Sequence, residues 1–290
     1  MLSRKCLSSR SVAACMMATM IDTRLTGKVA LITGANHGIG AATATALAAE
    51  GVAVLLTYKR LAPLNEPAYP EAFDRVRAGT ADDVVRRIRE AGGTAESAEA
   101  DLSDPEAPKL LFDLAEKAFG PVEILVNNAS AGLGDTFAPA GHDAFGRSLR
   151  MVDVETHDRQ FAVDARAAAL LISEFATRHV ARGATWGRII GLTSGGPNGF
   201  PTEVSYGAAK AAQENYTMSA AHELGAYGIT ANMVYPPVTD TGWINDEVAR
   251  AVTESAVLKE IARPEDVAEV ITFLVSHQGR RVTGQILRMY

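Results

Sequence analysis

The turn TGANHGIG at residues 33–40 is the feature that most restricts the fold of this 290-residue chain. It lies between KVALITG, a short apolar run typical of a strand, and the Ala-rich segment 39–50, which is typical of a helix. The run VAVLLTY follows and predicts a second strand. A strand, a turn, a helix and a strand in this order predict two parallel strands joined by a crossover helix.

The same alternation continues to the C terminus. Further strands are predicted at AESAEAD, VEILVNNAS, GRIIGLTS, TANMVYP and GQILRMY, and further helices at 80–92, 107–120, 154–182, 205–226 and 264–276. The irregular stretches 60–79 and 131–153 are predicted to be loops, and a lid-like stretch ends at residue 262. This pattern predicts an α/β fold, a doubly wound parallel sheet (Rossmann fold) in a single domain.

The composition favours a small-molecule partner. A net charge of −6 argues against nucleic acid as a partner, because nucleic acid would require a basic patch. No apolar run reaches the roughly 18 to 20 residues that a membrane span needs, so we expect a cytoplasmic protein without membrane contact. Both cysteines lie within the first 20 residues, which leaves no disulfide framework or cysteine nucleophile for the body of the chain.

The first 24 residues are predicted to be a disordered or mis-started tail, and residues 25–290 the folded domain. The basic, Ser-rich start also resembles a targeting leader. Arg10, however, interrupts the apolar segment that a leader needs, and later methionines offer other starts. Both interpretations stay open.

The glycine turn predicts a phosphate site. Gly34 permits the backbone reversal, Gly38 lets the chain approach a pyrophosphate, and Gly40 allows close packing of the helix on the strand. The helix N-terminus adds free N–H groups and partial positive charge. The alternative is a tight connection with no ligand.

The end of the second strand favours NADP over NAD. An acid there would hydrogen-bond the ribose of NAD, but the chain has Tyr58 followed by Lys59 and Arg60. The alternative is that both cations are solvated loop charges. Asp101, at the end of the third strand, is a candidate partner for the adenine amino group or a cap of the next turn.

Four further motifs, NNAS at 127–130, TS at 193–194, YGAAK at 206–210 and PPVTDT at 236–241, appear in order after the glycine turn. Together they closely resemble the short-chain dehydrogenase/reductase family over nearly everything from about residue 25 onward. The glycine spacing resembles the compact reductase branch. The resemblance implies hydride transfer between NAD(P) and a carbonyl or alcohol.

The resemblance also implies the catalytic residues. Tyr206 would be the acid/base, Lys210 would tune it and bind the nicotinamide ribose, and Ser194 would hold the substrate oxygen, with Thr193 as the alternative hydroxyl. Lowering a tyrosine pKa from about 10 to neutrality takes roughly 4 kcal/mol. One cation about 4 Å away contributes that order of energy, and residues four apart share a helix face.

The implied cofactor contacts are distributed over the whole domain, and no metal site is predicted. They are Gly34, Asn36, His37, Gly38, Ile39, Gly40, Tyr58, Lys59, Arg60, Asp101, Leu102, Asn128, Ala129, Tyr206, Lys210, Pro236, Val238 and Thr241.

Two departures from the family pattern stand out. Asp164 occupies the place of the usual asparagine of the proton relay, and its negative charge would oppose a nearby phenolate. Misregister caused by 131–153 is the alternative explanation. The chain also lacks the usual glycine-rich C-terminal tail, although a homodimer or homotetramer is still expected.

The leading hypothesis is an NADPH-dependent reductase of a ketone or aldehyde, with a 3-oxoacyl-type group as one candidate substrate. A second is a nucleotide-binding protein with little catalysis, motivated by Asp164. A third is an NAD-linked alcohol dehydrogenase, for which NAD would bind more tightly than NADP.

Overall fold

The computed structural model describes residues 22–132, 134–139, 141–195 and 199–290. The strands are β1 (Val29–Ile32), β2 (Ala53–Tyr58), β3 (Thr94–Glu99), β4 (Ile124–Asn127), β5 (Asp135–Thr136), β6 (Arg150–Met151), β7 (Gly187–Leu192), β8 (Ile229–Tyr235) and β9 (Ile286–Arg288). Seven of them form one parallel sheet in the order β3-β2-β1-β4-β7-β8-β9, while β5 and β6 form a separate pair. The predicted doubly wound sheet is confirmed.

The helices alternate with these strands. They are α1 (Gly38–Ala49), α2 (Glu71–Ala78), α3 (Asp82–Glu90), α4 (Ala107–Phe119), α5 (Val154–Phe161), α6 (Ala168–Ala181), α7 (Val204–Leu224), α8 (Asp246–Ser255) and α9 (Pro264–Val275). A π-helical segment, Ala162–Ala167, joins α5 to α6. Within the described residues, none of the helices combines the length and apolarity that a bilayer crossing requires.

Both faces of the sheet are covered, which explains why its central strands are continuously apolar. All four residues of β1 are buried. One face packs on α1, α3 and α9 through residues such as Leu47, Ile88 and Ile271, and the other on α4, α6 and α7 around Phe112 and Phe175. The helices that follow β1 and β2 therefore cover one face of the sheet, and those that follow β3 and β4 cover the other. A crevice opens beyond the carboxyl ends of β1 and β4, which are neighbours in the sheet.

The loop prediction for 60–79 is wrong in part, because it contains α2. Acids in the first turn and arginines in the last turn complement the helix dipole, a signal that outweighs the proline-rich composition around it. The lid-like stretch likewise contains α8, whose N-cap Asn245 accepts from two backbone N–H groups. The short strands β5 and β6 lie within 131–153.

The start of the described chain is attached to the body. The backbone oxygen of Thr23 accepts from His277 N at 2.9 Å, and that of Asp22 accepts from the Gln278 side chain at 2.8 Å. Residues 1–21 of the predicted tail lie outside the described residues. The boundary at residue 25 stays a prediction.

Candidate active site

The glycine turn after β1 is fastened to the end of β4. Thr33 Oγ1 accepts from the backbone N–H groups of Asn128 and Ala129, each at 3.0 Å. Asn128 Nδ2 donates to the backbone oxygens of Thr33 and Gly34, each at 2.8 Å. Asn128 therefore fixes the shape of the turn from the neighbouring strand.

Two glycines of the turn have no room for a side chain. Gly34 has a φ of +64°, and a Cβ there would lie 2.8 Å from Ala129 Cα. A Cβ on Gly40 would lie 2.3 Å from the Gly34 backbone oxygen. The turn thus keeps the close packing of helix on strand that its spacing predicts.

The N-terminus of α1 is open to an anion. His37 is the N-cap residue, yet its side chain makes no capping hydrogen bond, and the first turn carries no acid. The first N–H groups of the helix are left without side-chain acceptors, and the helix dipole adds partial positive charge there. This arrangement fits the phosphates of a nucleotide.

A cavity of about 460 Å³ runs from this turn, past the ends of β2, β3 and β4, to Tyr206. Its volume is within the usual range for small-molecule sites. Predicted cofactor contacts in its lining are Gly34, Asn36, His37, Gly38, Ile39, Tyr58, Lys59, Asp101, Leu102, Asn128, Ala129, Tyr206 and Thr241. The cavity therefore brings together residues from four separate motifs.

Other predicted contacts are not in this lining, namely Gly40, Arg60, Lys210, Pro236 and Val238. Residues in the lining that the sequence did not predict are Thr57, Leu61, Arg77, Ala100, Ser103, Ser130, Ala131, Arg159 and Val163. Ala100, Ser103, Ser130 and Ala131 follow the ends of β3 and β4 and were missed because they are small. Arg77 was missed because its segment was predicted to be a loop.

The two cations after β2 are both paired with acids. Lys59 Nζ donates to the carboxylate of Asp101, and Arg60 Nε donates to both carboxylate oxygens of Glu99, at 3.0 and 3.1 Å. Burial opposes ionisation of Asp101, but hydrogen bonds from Lys59 and Ser103 outweigh it and lower its pKa to about 2. Lys59 thus reaches the cavity with its charge already balanced, and Arg60 points toward β3.

Tyr206 lies in the first turn of α7, at the inner end of the cavity. The side chain of Ser194, which follows β7, lies beside it and acts to lower its pKa. Burial raises the pKa of Tyr206 above its ordinary value, the Asp164 carboxylate raises it further, and Ser194 opposes both. Tyr206 therefore holds its proton at neutral pH.

The two neighbouring hydroxyls after β7 have different partners. Thr193 Oγ1 donates to the carboxylate of Glu214, and the Thr193 residue is buried. Ser194, by contrast, interacts with Tyr206 and acts to lower the pKa of this phenol. Of the two candidates, Ser194 is the hydroxyl beside the phenol.

Lys210 and Asp164 form a buried ion pair, with Nζ 3.1 Å from Asp164 Oδ1 and side-chain exposures of 2% and 0%. Lys210 Nζ also donates to Gln213 Oε1 at 3.0 Å. Asp164 Oδ2 accepts from Ala131 N at 2.9 Å and from Gln160 Nε2 at 2.6 Å. Asp164 reaches inward from the π-helical segment, a type of distortion that is frequent at functional sites.

This ion pair limits the effect that Lys210 has on Tyr206. The Lys210 Nζ lies 5.7 Å from the centre of the Tyr206 ring. The carboxylate of Asp164 balances the ammonium charge, and the net effect of the surroundings is to raise the pKa of Tyr206. The role of Lys210 in lowering the pKa of Tyr206 stays a prediction, and in the structure the lysine charge is paired with Asp164.

Comparison with protein families gives two matches. Residues 72–289 match the family model described as enoyl-(acyl carrier protein) reductase. Residues 28–70 match the family model described as short chain dehydrogenase.

Individual relatives match over most of their length. A cis-4-hydroxycyclohexanecarboxylate dehydrogenase from Sinomonas cyclohexanicum is 35% identical, covering 90% of this chain and 94% of the relative. A chloroplastic NADPH-dependent aldehyde reductase-like protein from Arabidopsis thaliana is 35% identical, covering 91% and 93%. The crystal structure of the angucycline C-6 ketoreductase LanV with bound NADP has a TM-score of 0.74 and 29% identity, covering 91% and 94%.

Proposed function

Because the chain belongs to the short-chain dehydrogenase/reductase family, whose members act on carbonyl and alcohol groups, we propose that it reduces a ketone or aldehyde to an alcohol with NADPH. The observation that carries this proposal is that Tyr206, with Ser194 beside it, lies at the end of a cavity that begins at the glycine turn. When bound, the nucleotide supplies the hydride.

The residues of the cavity fit that nucleotide. The uncapped N-terminus of α1 and the glycine turn would hold the pyrophosphate. Tyr58 and Lys59 would contact the ribose of the adenosine, and Asp101 would contact the adenine. Thr241, whose Cγ2 would be 2.8 Å from a Cβ on Gly38, closes the cavity above the turn.

Ser194 and Tyr206 carry out the proton transfer. The Ser194 hydroxyl orients the carbonyl oxygen of the substrate, and Tyr206 donates its phenolic proton to that oxygen. The O–H bond of tyrosine breaks as the O–H bond of the alcohol forms, and a phenolate remains on Tyr206. Lys210, four residues from Tyr206 on the same helix face, stabilises this phenolate, and Asp164 balances part of the lysine charge.

The protonation state of Tyr206 favours reduction over alcohol oxidation. Reduction needs the phenol, which burial and Asp164 preserve at neutral pH, whereas oxidation needs the phenolate. The absence of an acid at the end of β2 supports NADP over NAD. The NADP complex of LanV and the Arabidopsis relative's name point the same way.

A second candidate is a nucleotide-binding protein with little catalysis. The specific observation in its favour is the buried ion pair of Lys210 and Asp164, which withholds the lysine charge from Tyr206. Under this alternative the nucleotide binds but no carbonyl is turned over.

The test is a panel of ketones, aldehydes and 3-oxoacyl thioesters with NADPH and NADH in parallel, using the full chain. We expect at least one carbonyl to consume NADPH faster than NADH. Tyr206→Phe should lower that rate by about 10²- to 10⁴-fold. NADPH binding with no turnover across the panel would favour the second candidate. A preference for NADH that Lys59→Ala leaves unchanged would favour an NAD-linked alcohol dehydrogenase.

A further inference from the structure

Helix α2, which lies in the segment predicted to be a loop, is fastened to both sides of the cavity entrance. Asn36 of the glycine turn donates from Nδ2 to the backbone oxygens of Val76 and Gly79, each at 3.1 Å. On the other side, Leu61 N donates to the backbone oxygen of Arg77 at 3.1 Å. The last turn of α2 is therefore fixed between the phosphate turn and the residues that follow β2.

This attachment places Arg77 in the cavity wall, where it is 8% exposed. Its guanidinium carbon lies 5.5 Å from the centre of the Phe73 ring. Its Nη1 is buried and makes no hydrogen bond, and the distance to Asp74 Oδ1 is 3.8 Å. The Asp74 oxygens instead accept from the backbone N–H groups of Leu64 and Asn65, at 2.7 and 3.1 Å.

Among the cations in the cavity lining, Arg77 is the buried one that has no hydrogen-bonded acid. Lys59 is hydrogen-bonded to Asp101. Burial and the charge of Arg77 lower the pKa of His37, so this imidazole is neutral at pH 7. Arg159 also lines the cavity but is exposed to water. A guanidinium stays protonated even where burial disfavours its charge, and a buried cation without a hydrogen-bonded acid is costly.

We propose that Arg77 binds the 2′-phosphate of NADP and sets the preference of this protein for NADP over NAD. The inference rests on the proposed function, since it assigns a residue to the cofactor preference. Its location supports the assignment, because the hydrogen bond from Leu61 puts Arg77 beside the end of β2, where the adenosine ribose binds. A planar guanidinium with a free N–H matches the oxygens of a phosphate monoester.

The segment 60–79 is then an insertion that carries cofactor selectivity. The cations next to β2 are paired with Asp101 and Glu99. The helix α2 supplies the missing charge from 17 or more residues further along the chain, at Arg77. A cation–π contact with the Phe73 ring helps to position the guanidinium.

The test measures equilibrium binding by calorimetry, without substrate, so that it does not depend on turnover. The ligands are NADPH and NADH, and adenosine 2′,5′-bisphosphate and 5′-AMP, each pair differing by the 2′-phosphate. Arg77→Gln should weaken the binding of both 2′-phosphorylated ligands by about 10- to 100-fold and change the others by less than about twofold. Arg77→Lys should fall between, because it keeps the charge but loses the fork.

Arg75→Gln is the matched control, because it lies on the same helix, is exposed and is outside the cavity lining. It should change no affinity. Equal weakening of NADPH and NADH by Arg77→Gln, or no weakening, would overturn the inference while the proposed function stands. A wild-type protein that binds neither dinucleotide would overturn the proposed function and this inference together. If Arg77→Gln fails to fold, Arg77→Lys decides between these outcomes by the same ratio of affinities.

Discussion

Asp164 is the residue that most distinguishes this active site. It is buried in the π-helical segment, accepts two hydrogen bonds on Oδ2 and pairs with Lys210 through Oδ1. Its carboxylate also raises the pKa of Tyr206, after burial, which is the larger cause. The same side chain therefore fixes the lysine and keeps the proton on the tyrosine.

Asp164→Asn is expected to shift the pH profile of alcohol oxidation to lower pH. Oxidation requires the phenolate of Tyr206, so kcat/KM rises with pH through the pKa of this group. That pKa is raised, and the substitution removes one of the charges that raise it. The midpoint should fall by roughly one pH unit. The measurement is kcat/KM for the alcohol against pH.

The control for this shift is Asp158→Asn, which removes an exposed carboxylate from α5, 70% exposed in its side chain. It should leave the midpoint in place. A midpoint that Asp164→Asn leaves unchanged, or moves to higher pH, would contradict the role assigned to Asp164.

Lys210→Met should lower the free energy of unfolding by about 3–5 kcal/mol, because it leaves the buried Asp164 carboxylate without its cation. The double variant Asp164→Asn with Lys210→Met should recover a large part of this loss, since it removes both charges. Urea unfolding at pH 7 measures all four proteins of the cycle. Costs that simply add would show that the two side chains do not stabilise each other.

At the level of elements, the sequence predicted the regular strands and helices well because the central strands are apolar runs that alternate with helical segments. The four buried residues of β1 and the small residues of α1 specify close packing directly. Helix α2 was missed because a single buried residue, Arg77, gives it no apolar stripe. Its position depends instead on Asn36, a contact across 40 residues that no local pattern encodes.

The sequence predicted the motif residues that line the cavity, but it did not predict their partners. Motif residues such as Gly34 and Asn128 line the cavity because the turn and the end of β4 determine each other. The partners of Lys59 and Arg60 were not predictable, because Asp101 and Glu99 reach them only across the pairing of β2 with β3. Because their charges are paired, Lys59 and Arg60 offer a phosphate less positive charge than the sequence alone suggests.

Gly40→Ala tests the close packing of α1 on the turn. Its Cβ would lie 2.3 Å from the Gly34 backbone oxygen and 2.6 Å from Asn128 Nδ2. We expect a loss of about 1–3 kcal/mol in unfolding free energy, together with weaker NADPH binding, because the turn must move. Thermal unfolding and calorimetric titration measure the two effects.

Gly225→Ala is the comparison for this substitution, because a Cβ there meets no atom within 4 Å and its φ of −57° suits any residue. It should leave both stability and binding nearly unchanged. If Gly40→Ala behaves like Gly225→Ala, the turn is not held as tightly as its geometry indicates.

At the level of the whole molecule, the segments 60–79 and 131–153 and the lid-like stretch that holds α8 are joined by polar contacts. Asn245, the N-cap of α8, donates to the Ala68 backbone oxygen at 2.9 Å. Ser148 N donates to Glu66 at 3.1 Å, and Arg147 bridges to Glu203 at 3.1 Å, just before α7. These contacts connect the segment 60–79 with α8 and with the segment 131–153, and they connect 131–153 with the residue before α7.

The assembly of the whole molecule stays a prediction. Leu110 and Leu114, one turn apart on α4, are 55% and 38% exposed, and Val180 at the end of α6 is 43% exposed. Exposed apolar side chains of this kind are common at protein interfaces. They are consistent with the homodimer or homotetramer that the family resemblance implies.

A single-turnover experiment tests whether Tyr206 donates the proton during carbonyl reduction. Excess enzyme is mixed with NADPH and a reducible carbonyl, and NADPH absorbance is followed for the wild type and Tyr206→Phe. The rate should fall by about 10²- to 10⁴-fold in Tyr206→Phe, with NADPH affinity nearly unchanged. A variant that retains the wild-type rate of hydride transfer would contradict this role of Tyr206.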